Sequence, residues 1–186
     1  MWTHSLPLVT LSVALILPTA GFAQQVIPTY VEETASAGID STYTGQWQYM
    51  VGGGAATFDC NADGFPDLLL AGGEAPAKFY VNKSGKGGAL KFEAQQSGLE
   101  LDAVTGAYPL DIDNDGVEDV VLLRVGESVA MRGLGGCKFE RANESWGFNG
   151  GDAWWTSFSA TWEHGATLPT LALGSYIDRT QEIDPW

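Results

Sequence analysis

Two short segments of the chain carry oxygen-bearing side chains at the same four positions, 1, 3, 5 and 9. The residues are Asp59, Asn61, Asp63 and Asp67 in the first segment (59–67), and Asp111, Asp113, Asp115 and Asp119 in the second (111–119). Both segments have glycine at position 6 and continue into an apolar run. Alternate side chains of a curled loop can converge on one point. The spacing therefore predicts an oxygen-lined cage in each segment.

Such a cage suits calcium, a hard cation that takes six to eight oxygen ligands in flexible geometry. Gly64 and Gly116 at position 6 permit a sharp turn with positive φ. Position 7, held by Phe65 and Val117, would supply a backbone carbonyl, so its side chain need not be polar. We expect two structural Ca²⁺ sites, with positions 1, 3, 5, 7 and 9 of each segment as ligands.

Two other interpretations of these segments are possible. An EF-hand needs Glu at position 12 and flanking helices, whereas Leu70 and Leu122 stand there within strand-like runs. Asp, Asn and Gly also make ordinary turns, but the repetition of the ligand positions favours calcium. Because Asn61 is neutral and Glu118 adds a carboxylate to the second loop, we expect the second loop to bind calcium more tightly.

The composition and the N-terminus indicate an exported protein that does not bind nucleic acid. The formal net charge is −14, which disfavours phosphate backbones. Residues 6–20 are apolar, and small residues stand at −1 (Ala23) and −3 (Gly21) before Gln24. This is typical of a signal peptide over 1–23, although no Lys or Arg precedes the run. A membrane anchor is the alternative, but the run is short for a span. We expect cleavage near Ala23, no membrane span, and a secreted, periplasmic or cell-surface protein.

The two cysteines, Cys60 and Cys137, would meet an oxidising environment after export, where a disulfide can form. Cys60 occupies a position of the first loop that supplies no ligand, so a bridge would pin that loop. Spacing alone cannot show whether the two Cβ atoms come within bonding reach. The sequence leaves this pairing open.

The two loops belong to a longer internal repeat, since Asp59 and Asp111 are 52 residues apart. Each loop lies between strand-like runs and is followed by a glycine-rich turn and an aromatic phrase that begins at Phe92 or Phe139. A third copy retains its strands, near residues 155–160 and 168–176, but has lost the acidic ligands. Repeats of this length stack on each other, and about four short strands per unit is typical of β-propeller blades.

We therefore predict an all-β fold made of four-stranded antiparallel propeller blades. The expected organisation is a signal peptide (1–23), an N-terminal segment (24–46), blade 1 (47–98), blade 2 (99–150) and a partial blade 3 with a degenerate loop (151–186). Within the N-terminal segment, residues 30–34 match the aromatic phrase that ends each blade. We expect them to form a strand that completes the last blade and closes the ring.

These phrases resemble FG-GAP/VCBS repeats, which form integrin α-chain propellers and occur in many exported bacterial proteins. The most similar branch is related to cartilage acidic protein and usually ends in an ASPIC/UnbV domain. The phrases that carry the resemblance are residues 52–54, 58–61, 106–111 and 139–144. The resemblance implies a seven-bladed propeller that serves in binding or adhesion, with calcium as a structural ion.

Only about two and a half of those seven blades are present, so we expect the sequence to be the N-terminal part of a longer protein. The alternative is a short protein that assembles with another chain. The expected partner is a protein or a glycan, and the expected role is binding rather than catalysis. A structural scaffold is hard to distinguish from a binding module by sequence.

An enzyme is a second functional class that the sequence leaves open. Some related propellers act on polysaccharides as lyases, and catalytic residues could lie in further blades. His164 stands in the degenerate third loop beside Glu163, where a turn residue is more common than a base. Tryptophans such as Trp154, Trp155 and Trp162 could stack on a sugar, but packing between blades is the more usual role.

Overall fold

A computed structural model of the chain describes residues 27–177. The predicted signal peptide and residues 178–186 lie outside this part. The described part contains one short 3-10 helix, Trp47–Tyr49, and is otherwise built from strands and loops. The strands are β1 (Ala55–Phe58), β2 (Asp67–Leu70), β3 (Lys78–Asn82), β4 (Phe92–Ala94), β5 (Val104–Leu110), β6 (Asp119–Gly126), β7 (Val129–Gly133), β8 (Phe139–Arg141), β9 (Ala153–Thr161) and β10 (Thr170–Ser175).

The strands form successive antiparallel units in chain order. Strands β1 to β4 make one four-stranded sheet in which each strand pairs with the next. Strands β5 to β8 repeat this arrangement, and β9 pairs with β10 as a hairpin. The end of β6 also pairs with the start of β9, through Val125 and Trp154. The predicted all-β class and its four-stranded units are confirmed, while the total of seven blades stays a prediction.

The central strand of the second unit is apolar on both faces because it is covered from both sides. Val120 and Leu122 of β6 belong to the core shared with the first unit. Val121 and Leu123 point the other way, into a second cluster with residues of β9 and β10. Because side chains alternate along a strand, a continuous Val-Val-Leu-Leu run is what a strand buried between two neighbours requires.

Aromatic side chains join the first two units. Phe58, Phe79 and Phe139 form a triangle with ring centroids 5.9–6.4 Å apart. All three rings are buried, and aromatic pairs at this separation stabilise beyond the area that they bury. These three rings therefore pack between the first two units. The ring of Trp47 stacks edge-on against that of Trp154 at 4.8 Å.

The segment before the first unit differs from the predicted closing strand. Residues 27–33 are not in a strand, and 34–38 form a turn. Ala37 accepts a backbone hydrogen bond of 2.7 Å from Phe92 of β4, so this turn contacts the outer strand of the first unit. A closing strand over 30–34 would need a last blade to pair with, and it stays a prediction.

Candidate metal centre

Both Asp-rich loops join the first two strands of their unit, β1 to β2 and β5 to β6. This is the position that the 52-residue repeat indicates. The β1–β2 and β5–β6 hairpins are in equivalent register, since Phe58 pairs with Asp67 and Leu110 pairs with Asp119. Each loop therefore begins and ends at a paired position, and the strands hold its two ends together.

The first loop curls because its own side chains accept backbone N–H groups. Asp59 accepts from Asp63 at 3.1 Å and from Gly64 at 2.7 Å, one bond to each carboxylate oxygen. Asn61 also accepts from Asp63, and Asp63 accepts from Phe65. Such Asx turns satisfy polar groups that a tight loop would otherwise leave unpaired.

The second loop repeats the bonds accepted at positions 1 and 5, but not the bond that Asn61 accepts at position 3. Asp111 accepts from Asp115 at 3.1 Å and from Gly116 at 3.0 Å. Asp115 accepts from Val117 at 2.8 Å. Gly116 has φ +86°, matching +83° at Gly64, so the positive φ expected at position 6 is confirmed.

Position 4 is also left-handed in both loops, which the sequence did not reveal. Ala62 has φ 57° and Asn114 has φ 58°. Asn tolerates this conformation better than Ala because its short polar side chain can bond locally. The first loop thus carries more backbone strain than the second.

The structure brings together the side chains of positions 1, 3 and 5 in the second loop. One oxygen from each of Asp111, Asp113 and Asp115 lies within 4.8 Å of the others. Three converging carboxylates are a hard-oxygen donor set of the kind that calcium prefers. In addition, the Oδ1 atom of Asp113 is buried and has no hydrogen-bond partner. A cation would satisfy this oxygen, so the residues present fit a calcium ion.

Position 9 has a different environment from the other predicted ligands. Asp67 and Asp119 are fully buried. Asp67 accepts backbone N–H groups from Cys60 and Asn82 at 3.1 and 2.8 Å. These two carboxylates therefore tie their loop to the next strand of the sheet, whether or not they also contact a metal.

Asp119 makes the equivalent pair of bonds. It accepts from Ile112 at 2.8 Å and from Gly133 at 2.7 Å. Burial raises the pKa of both position-9 carboxyls above the usual range for Asp, against the opposing effect of their backbone hydrogen bonds. Burial, followed by the charge of Asp111, likewise raises the pKa of Glu118.

The pairing of the cysteines, which the sequence left open, is resolved. Cys60 and Cys137 form a disulfide with Cα atoms 4.9 Å apart. The bond links the first loop to the turn between β7 and β8 in the next unit. Although Asp67 lies close to both sulfurs, the bonded cysteines have no thiol left to bind a metal, so this cluster is structural.

Sequence reasoning missed Arg132, a β7 residue whose side chain reaches the second loop. Its Nη2 atom lies 2.8 Å from the Oδ2 atom of Asp113. Its guanidinium carbon is also 5.0 Å from the centre of the Trp146 ring, within cation–π range. The available signal was one basic residue inside the otherwise uncharged strand Val129–Gly133.

The third unit shows what remains of the loop without acidic ligands. The β9–β10 hairpin turns through Gly165, with φ +81°. Glu163 accepts a 3.0 Å hydrogen bond from Thr170, which closes the turn. His164 lies exposed at the tip. The predicted strands of this copy are confirmed as β9 and β10.

Residues 59–122 match a family model described as an FG-GAP-like repeat. The matched stretch begins at position 1 of the first loop and ends within β6, just beyond the second loop. This match supports the resemblance to FG-GAP repeats. No curated protein matches the chain. The relation to the branch that carries an ASPIC/UnbV domain stays a prediction.

Proposed function

We propose that this chain forms part of an exported, calcium-stabilised β-propeller that binds a protein or glycan partner. The observation that carries the proposal is the recurrence of one loop geometry in two consecutive units, with three carboxylates converging in the second. The FG-GAP-like match over residues 59–122 supports it, because such repeats commonly serve in binding or adhesion.

Calcium would have a structural role in this proposal. Positions 1, 3 and 5 of each loop would hold it, with the backbone carbonyls of Phe65 and Val117 and the position-9 carboxylates as further ligands. The bound ion would neutralise carboxylates that otherwise repel each other. It would thereby stiffen a nine-residue connection that has no apolar core of its own.

Export is supported by two observations. A buried disulfide between units is typical of proteins that fold in oxidising compartments. Extracellular calcium is also abundant enough to fill weak sites. Within residues 27–177, no helix has the length and apolar character needed to cross a membrane.

We propose binding rather than catalysis as the role of the module. His164 lies at an exposed hairpin tip, and Glu163 beside it is engaged with Thr170. A glycan array and a pull-down with the complete protein would identify the class of partner. Turnover of a polysaccharide by the complete protein would instead favour the lyase alternative.

The calcium proposal is tested by thermal unfolding of the chain in CaCl₂ and in EDTA. We expect calcium to raise the melting temperature, and Asp113→Ala with Asp115→Ala to remove most of the increase that the second loop supplies. Glu140→Ala with Glu144→Ala is the matched control, since it removes two exposed carboxylates from the same unit outside the loop. Equal stability of the wild-type chain in EDTA and in calcium would refute the proposal.

A further inference from the structure

The second Asp-rich loop has a positively charged neighbour built into its own unit. Arg132 of β7 pairs with Asp113, the position-3 residue, through an Nη2–Oδ2 distance of 2.8 Å. The pair is partly shielded from water, with side-chain exposures of 34% for Arg132 and 18% for Asp113. An arginine stays protonated throughout the accessible pH range, so this charge is permanent.

Within residues 27–177, no basic side chain forms a salt bridge with the first loop. Asn82 and Gly133 each donate a backbone N–H to the position-9 Asp of their loop, which makes these two residues equivalent. The residues before them, Val81 and Arg132, are therefore also equivalent. Val81 is a buried member of the apolar core, so it offers no charge to the first loop.

The two loops therefore differ at two related places, position 3 of the loop and the strand position held by Val81 or Arg132. In the first loop, position 3 is the neutral Asn61, and the strand residue equivalent to Arg132 is Val81. In the second loop, position 3 is Asp113 and the facing residue is Arg132. The extra carboxylate at position 3 of the second loop is thus matched by a guanidinium. The formal charges of positions 1, 3 and 5, taken together with Val81 or Arg132, therefore sum to the same value in both loops, and Glu118 adds one further carboxylate to the second loop.

We propose that Arg132 is a resident counter-ion that competes with calcium for Asp113 and so sets the affinity of the second loop. The inference rests on the proposed calcium function. One oxygen of Asp113 is held by Arg132 and the other is buried without a partner. A calcium ion at the second oxygen would be repelled by the guanidinium and would have to loosen the ion pair.

The Trp146 ring gives the displaced guanidinium a place to remain. The ring centre is already 5.0 Å from the guanidinium carbon, and an aromatic face attracts a cation without consuming its hydrogen bonds. Arg132 can therefore release Asp113 without leaving its strand. The ion pair therefore offsets one of the two grounds on which the sequence predicts the second loop to be the tighter site, while the added carboxylate of Glu118 remains.

The test is calcium titration by calorimetry on the full chain carrying Asp59→Ala and Asp63→Ala, which silences the first loop. In this background, Arg132→Met keeps the length and packing of the side chain but removes its charge. We expect it to lower the calcium Kd by about threefold to fivefold, the range for loss of a partly exposed ion pair. Combined with Asp113→Asn, the same change should alter the Kd by less than about twofold.

Arg141→Met is the matched control for net charge. Arg141 is also in the second unit, but it pairs with Glu127 rather than with the loop. We expect it to leave the calcium Kd unchanged. Arg132→Gln serves as a second neutral variant if Arg132→Met unfolds, and circular dichroism in EDTA checks the folding of each variant.

A nuclear magnetic resonance readout reports on Arg132 directly. Its Nε–H signal is assigned as the signal that disappears in Arg132→Met. Its chemical shift should change when calcium is added to the unmodified chain. In Asp113→Asn, calcium should leave the chemical shift unchanged. A Kd that Arg132→Met raises or leaves unchanged would overturn the inference while leaving the calcium proposal intact. Absence of calcium binding by the unmodified chain would overturn both.

Discussion

The two Asp-rich loops share one backbone path but are held in place by different means. Asp59 and Asp111 accept the same backbone N–H groups, and the position-6 glycines have nearly the same φ. The first loop is then fastened by the disulfide of Cys60 to the next unit. The second has Ile112 at the position of Cys60, packed in an apolar cluster.

The two loops also differ in charge and in the residue beside position 3. The first loop has three carboxylates, and the second has five together with Arg132 beside Asp113. Hydrogen bonds within each loop therefore fix its shape. Residues from other parts of the fold fasten the loop and set the charge around it. The third unit shows that the hairpin does not need the acidic loop, because β9 and β10 pair without one.

The largest expected difference between the loops comes from breaking the disulfide. Cys60→Ser with Cys137→Ser should lower the free energy of unfolding by about 3–4 kcal/mol, because the bond closes a long loop in the unfolded chain. The two cysteines are 77 residues apart in sequence. Urea unfolding in EDTA measures the loss, and exchange of loop amides should quicken at residues 59–67 more than at 111–119. A loss below about 1 kcal/mol would contradict this prediction.

Substitution at position 9 should destabilise the protein equally in the two loops. Asp67→Ala and Asp119→Ala should each lower the free energy of unfolding by about 2–4 kcal/mol, since two buried N–H groups lose their acceptor. The loss should persist in EDTA, because it does not depend on a metal. Urea unfolding beside the exposed control Glu140→Ala measures it. Losses confined to calcium-containing buffer would show that these carboxylates act only as ligands.

At position 3, the two loops should differ in how charge affects their calcium affinity. Asn61→Asp adds a carboxylate to the first loop, where the residue equivalent to Arg132 is the uncharged Val81. We expect it to lower the calcium Kd of that loop by about fivefold, since ligand charge tunes the affinity of such sites. The measurement is a calcium titration with the second loop silenced by Asp113→Ala and Asp115→Ala. A weaker site after the change would mean that loop geometry, and not charge, limits affinity.

The smallest effect is expected in the third unit. Calcium should slow hydrogen exchange at residues 59–67 and 111–119, with no direct change at 162–169, because Glu163 there is engaged with Thr170. Mass spectrometry of exchanged peptides in calcium and in EDTA makes the comparison. Protection of 162–169 as strong as that of the two loops would indicate a third site that the sequence does not reveal.

Much of the fold could be predicted because its signals are local and repeated. The 52-residue period places both loops in equivalent hairpins, and the continuous apolar runs that follow the loops mark β2 and β6. The degenerate third copy could be recognised from its strands alone, and β9 and β10 bear this out. The closing strand over residues 30–34 could not be decided in this way, because a strand needs a partner that these residues do not specify.

The sequence by itself determined the repeat, the spacing of the candidate ligands and the left-handed turn at Gly64 and Gly116, since all of these depend on neighbouring residues. The tertiary structure decided which distant groups meet these loops. It joined Cys60 to Cys137 and set Arg132 against Asp113. It also turned the position-9 carboxylates toward backbone N–H groups of the next strand. The physical reason is that such contacts depend on how sheets register and stack, which no spacing along the chain encodes.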